Sequence, residues 1–162
     1  MRVSLGGNIT VIAQDQWYAQ IRASRAFVLG GAQASVGGQY GHVQILNPAA
    51  TGVNVIVYSI LAGKTTAGAI LVHRYDTALA TLIGQGVNLL AGGAAGLAAV
   101  RSGSNAAQLG TQMVEATSAA MAFVPIMPGW SVQLGPTQGI VVLTDIVNER
   151  VTATFEWIEL PV

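Results

Sequence analysis

Of the 162 residues only His42 and His73 are histidines, and none is a cysteine. The lack of thiols removes disulfide frameworks, thiolate zinc sites, iron–sulfur clusters and thiol nucleophiles together. His73, Arg74 and Asp76 make the only local cluster of polar functional types. In a strand His73 and Arg74 point to opposite faces, and His73 shares its face with Leu71 and Tyr75, so His73 reads as a structural histidine. Gly63-Lys64-Thr65 resembles the end of a phosphate-binding loop. Tyr58 stands where that loop needs its first glycine, and a turn into a strand follows where it needs a helix. Gly92-Gly93-Ala94-Ala95-Gly96 lacks the strand, the helix and the spacing of a dinucleotide fingerprint. Glu156 and Glu159 fall on opposite faces of the last strand, which spoils the paired-carboxylate geometry of a glycosidase. No residue is therefore assigned a catalytic, cofactor-binding or metal-ligating role, and the chain is expected to be no enzyme.

Among the aromatics Trp17, Tyr18, Tyr40, Trp130 and Trp157, the last alternates with Phe155 and Ala153 and belongs to a core. Trp130 follows the Pro128-Gly129 turn and is expected to be exposed, as an interface anchor or a platform for a sugar ring.

The composition points away from solvent. Seven Lys plus Arg balance seven Asp plus Glu, so no cationic surplus draws nucleic acid or an anionic membrane. Charged residues are 9% of the chain, against about 25% in ordinary soluble domains. A monomer of this mass exposes roughly 7,600 Å², thinly covered by so few charges. With 52% hydrophobic residues and a mean hydropathy of +0.54, the chain reads as one protomer of an assembly. A membrane span is the competing account. Thr77–Val100 is uncharged and long enough, but five glycines (84, 86, 92, 93, 96), Gln85 and Asn88 interrupt it and no aromatic belt flanks it. The N-terminus has no continuous apolar run of a secretory signal, so synthesis in a host cytoplasm without processing is expected.

The elements are strands. Val151, Ala153, Phe155 and Trp157 alternate with Thr152, Thr154 and Glu156, the period of a half-buried antiparallel strand. Gly139–Asp145 is β-branched and precedes it, and the two read as a hairpin. Tyr40–Leu46, Val53–Leu61, Ala69–Tyr75 and Trp130–Leu134 add further short strands, which together predict an all-β antiparallel sandwich or barrel. Val53–Leu61 is apolar on both faces, which calls for a second cover from a neighbouring subunit or from a chain segment laid across it. Val53, Val55, Ile56 and Tyr58, with Trp130, are thus the interface candidates. Residues 1–39, broken at Gly6-Gly7, Gly30-Gly31 and Gly37-Gly38, read as an extended arm or peripheral strands, and residues 40–162 as the sandwich. Ile83–Gln112, rich in Gly and Ala, is expected to be irregular and to pack on a partner.

The stretches VQILNPAATGVNVIVYSI from Val43 to Ile60, PGWSVQLGP from Pro128 to Pro136 and VTATFEWIEL from Val151 to Leu160 resemble, in order and turn style, a layout of small β-sandwich proteins of tailed-bacteriophage virions. These include capsid decoration (cement) proteins and head or tail fibre components. The resemblance implies a jelly-roll-like virion protein, often trimeric, on the capsid surface. The expectation is a non-enzymatic decoration protein, a homotrimer, that binds and stabilises a shell of major capsid protein, with no cofactor, nucleic acid or membrane. The alternative is a tail-tip or fibre component that binds host cell-surface glycan through Trp130 or Tyr40.

Overall fold

The computed structural model describes residues 18–126 and 131–162, so Trp17, Trp130 and the first half of the expected arm lie outside the described residues. A helical turn at 18–22 leads into twelve strands. They are β1 (Ala26–Gln33), β2 (Tyr40–Leu46), β3 (Val53–Lys64), β4 (Gly68–Arg74), β5 (Thr81–Gln85) and β6 (Val87–Asn88). β7 (Ala99–Asn105), β8 (Thr111–Ser118), β9 (Phe123–Pro125), β10 (Val132–Leu134), β11 (Gly139–Thr144) and β12 (Val151–Pro161) follow. Two sheets form the sandwich. One runs β10-β3-β12-β1-β6 with β9 added to β3, and the other runs β5-β7-β2-β11-β4-β8. Every pairing among these strands is antiparallel. No helix of the described residues is long and apolar enough to cross a membrane.

The alternation read from Val151 to Trp157 continues through Glu159, and its inward side chains fill the space between the sheets. Trp157 and Phe155 are fully buried there with Ile45, Ile60, Ile70 and Ile140, and the Phe27 ring stacks on Trp157 at 6.0 Å between centroids. Burying each such side chain contributes roughly 1.5–3 kcal/mol.

Two expectations are corrected and a third is made definite. β11 and β12 are not a hairpin: β11 pairs with β2 and β4 in the second sheet, whereas β12 pairs with β1 and β3 in the first. Alternation reports which face a residue takes and not which strand lies beside it. β3 is not apolar on both faces for want of a partner. Its register with β12 slips at Tyr58, so the inward set changes from Val55 and Val57 to Ile60 and Ala62. Of the two forms expected for residues 1–39, an extended arm or peripheral strands, residues 26–33 take the second: they are β1, hydrogen-bonded to β12 along its whole length and to β6 on its other side.

β11 is covered on both faces, buried at all six positions, as β2 is from Gly41 to Leu46. Its inner face, Ile140 and Val142, meets the other sheet. On its outer face Val141 and Leu143 form a smaller core with Leu71 and Leu79, roofed by the chain's own Tyr75 and Leu109.

Candidate interaction surface

The polar residues singled out by type are structural in their placement. The Lys64 ammonium is buried against Asp145 and lies 3.9 Å from Glu149. Glu149 also accepts the Thr66 hydroxyl at 2.6 Å, and Asp145 the Ala69 amide at 3.0 Å, so this lysine ties the turn after β3 to the turn after β11. Burial alone would raise the Asp145 carboxyl, but Lys64 and the Ala69 amide outweigh it and hold the group below its ordinary value. Arg74 and Asp76 pair with each other at 2.9 Å in solvent. Glu156 is half-exposed on the outer face of the first sheet, whereas Glu159 is turned inward beside Trp157. Among the described residues no three His, Asp or Glu side chains are grouped to hold a metal.

Of the interface candidates, Val55 is fully buried between the sheets, and Val53 packs at the margin of the same core. Ile56 and Tyr58 are half-buried. Burial, and next the Glu156 carboxylate, push the Tyr58 phenol up.

A different edge is apolar and exposed. Among the described residues β5 borders the second sheet and pairs only with β7, and the chain then crosses at Gly86 to make β6 on the border of the first sheet. The crossing is tight, since a Cβ on Gly86 would sit 2.3 Å from the Trp157 ring. The loop after β6 is fastened from inside. Asn88 Nδ2 donates to the Ser24 carbonyl and hydroxyl and to the Ala94 carbonyl, and Glu159 accepts the amides of Leu97 and Ala98. With Trp157, Phe27 and Glu159 filling the interior, Val87 and the leucines from Leu82 onward turn outward, whereas the tip of Ile83 reaches in beside Gly31, Val43 and Val100. Leu82 and Val87 are 55% and 59% exposed, and Ile83, Leu89, Leu90 and Leu97 more than a third. From Thr77 to Val100 no residue is charged.

Leu82 stands beside Arg101 on the outer face of the second sheet and Val87 beside Val28 on the outer face of the first, so the exposed apolar side chains line both sides of this edge. Sequence reasoning registered the uncharged run but read it as irregular; the run of Leu and Val among its glycines was the available signal. Apolar burial and pairing along the free side of β5 are what this edge can do chemically. No protein-family model matches the chain, and a search of curated proteins finds no match.

Proposed function

We propose that this chain is a non-enzymatic structural protein of a bacteriophage virion, a capsid decoration protein that sits as a homotrimer on the capsid surface and stabilises the major capsid protein shell. The observation that carries the reading is the charge-free apolar edge formed by β5, β6 and the loop that follows. Its occupant is a second copy of the chain. In a cyclic trimer this edge meets a different patch of the next copy, and an edge without charges can be covered there without taking an ion out of water. Avidity from many weak contacts on a symmetric shell then supplies the affinity for the particle, with Ile56 and Tyr58 on the first sheet as the shell-facing candidates.

The test is sedimentation velocity on the chain and on the variant Leu82→Lys/Val87→Lys, with cosedimentation on purified shells. Each lysine would bury an unpaired charge in the contact at a cost of several kcal/mol. The expected result is a trimer for the parent, a monomer for the variant, and shell binding by the parent alone. A parent that stays monomeric at high concentration and leaves shells as fragile as before sinks the reading.

A second reading, a tail-tip or fibre component that binds glycan, draws on an open groove lined by Gln33, Tyr75, Thr81, Ser104 and Asn105. Uncharged amides and hydroxyls beside an aromatic ring suit a neutral sugar. A glycan array on which Tyr75→Ala loses a signal that Leu82→Lys/Val87→Lys keeps would favour it.

A further inference from the structure

The chain's two histidines meet on the outer side of the second sheet. β2 and β4 flank β11, with His42 opposite Leu143 and His73 opposite Val141. Their neighbours Val43, Ile45, Ile70 and Val72 fill the inter-sheet core, so both rings belong to the small outer core. His42 is 0% and His73 4% exposed. What covers them is the exposed loop 106–110, whose Leu109 packs on that core.

Both rings grip one residue of this loop. The Leu109 amide donates to His42 Nε2 at 3.3 Å, and the Leu109 carbonyl lies 2.8 Å from His73 Nδ1. An amide has only a proton to offer, so His42 Nε2 must be bare; its proton sits on Nδ1, 3.0 Å from the Tyr40 carbonyl. His73 by the same logic donates from Nδ1, and its buried Nε2 has no hydrogen-bond partner among the described residues. The His42 half of the grip therefore exists only while His42 is neutral. A proton on His42 Nε2 would set N–H against N–H at Leu109 and place a charge beside His73.

We propose that residues 106–110 are an acid-operated latch, held shut through the Leu109 peptide by His42 and His73 and released when His42 takes up a proton. Release bares Leu71, Val141 and Leu143. This goes beyond the assembly role and does not depend on it. Burial, opposed by the Tyr40 carbonyl and aided by His73, lowers the His42 value to about 4, which sets the acid range of opening.

The surroundings do not compensate the charge. Across the neighbouring strands His42 faces Leu143 and Gly103, and His73 faces Val141 and Gln112. Arg101 of β7 donates to the Leu79 carbonyl from across Gln44 and adds a further cation to that face. On β8, Glu115 is exposed and accepts from Gln112 at 3.3 Å. Asp145, after β11, is taken up by Lys64 and the Ala69 amide. The neighbouring loop is held without a histidine: Arg101 donates to the Leu79 carbonyl and Asp76 accepts the Gly139 amide. Gln44 donates to the carbonyls of Tyr75 and Thr77 and accepts the Leu79 amide at 3.0 Å, so it stays closed while 106–110 opens.

Amide hydrogen exchange of the full chain from pH 7 to pH 4, with the histidine rings followed by NMR, tests the latch. After correction for intrinsic rates, Leu109 should exchange at least tenfold faster as His42 titrates, while Leu79 and Val142 keep their protection. A Leu109 amide that stays protected once His42 is charged, or that opens only together with Val142, overturns the proposal. His42→Gln keeps an acceptor without a titrating group and should abolish the acid step; a step that persists in that variant overturns the proposal equally. The parent titration decides the matter even where the variant does not fold.

Discussion

Replacing Glu159 should loosen the edge on which the assembly reading rests. This carboxylate is buried, and Oε1 accepts the amides of Leu97 at 2.8 Å and Ala98 at 2.9 Å and the indole N–H of Trp157 at 3.0 Å. Oε2 accepts Leu97 again at 3.0 Å. Hydrogen bonds to a charged acceptor are each worth about 1.5–3 kcal/mol, against about 1 for neutral pairs. Glu159→Gln keeps one acceptor oxygen and turns an amide group toward the Leu97 N–H, so a loss of roughly 2–4 kcal/mol is expected. Glu159→Ala leaves three buried donors without partners, at about 1–3 kcal/mol each, which approaches the whole stability of a typical domain. Denaturant titration gives the stability, and hydrogen exchange at Leu97 and Ala98 locates the change. Exchange at these amides should quicken more than in the centre of β11. Since Leu89, Leu90 and Leu97 ride on this loop, self-association should weaken in the same variant. A Glu159→Gln chain within about 0.5 kcal/mol of the parent, with both amides still protected, would refute the idea that this carboxylate pins the loop.

Removing residues 1–39 deletes β1 and with it Phe27 and the β12 pairing, so circular dichroism should find that chain largely unfolded. Removing residues 1–17 keeps every described element, and a folded product that associates or binds shells less well would reserve the arm role for that segment. Lys64→Met should cost about 3–5 kcal/mol in denaturant titration, because it strands Asp145 and Glu149 without their cation. In the parent, the Asp145 carboxyl lies below its ordinary value, so its stabilisation is complete above about pH 4 and falls away as pH drops through the lowered value. Lys64→Met should lack that acid step.

The strands legible in the sequence are those whose own pattern carries their burial. Tyr40–Leu46 has the bounds of β2, and the alternation after Val151 is the inward and outward face of β12. β7 and β8 escaped notice because AVRSGSN and TQMVEATS have no apolar period to display. β7 is instead defined by its neighbour, pairing residue for residue with β2, and such long-range support leaves no mark in a short window of sequence. The false double-faced strand has the same origin in reverse. One extra residue at Tyr58 turns a single inward face into two half-faces that a window sums together. The polar placements were legible only as negatives. Opposite faces for Glu156 and Glu159 followed from alternation, but nothing in the spacing announced that Glu159 would meet amides from a loop some sixty residues earlier.

Glycine in the uncharged segment reads as slack, and the structure gives it another meaning. Gly86 passes under Trp157 where a Cβ would lie 2.3 Å from the ring, and Gly96 passes Glu159 where one would lie 2.9 Å from Oε1. These are sites of close approach, where the backbone replaces a side chain as the packing surface. The interior at this corner is already full, so the leucines and valines between the glycines have no inward position left to take. Their exposure is thus imposed by packing and held by Asn88 and Glu159. An apolar edge fixed in this way loses little further conformational entropy when a partner covers it, and a smaller ordering cost leaves more of the burial free energy for association. That is the property a subunit needs if it must stay well packed alone and still associate when copies meet.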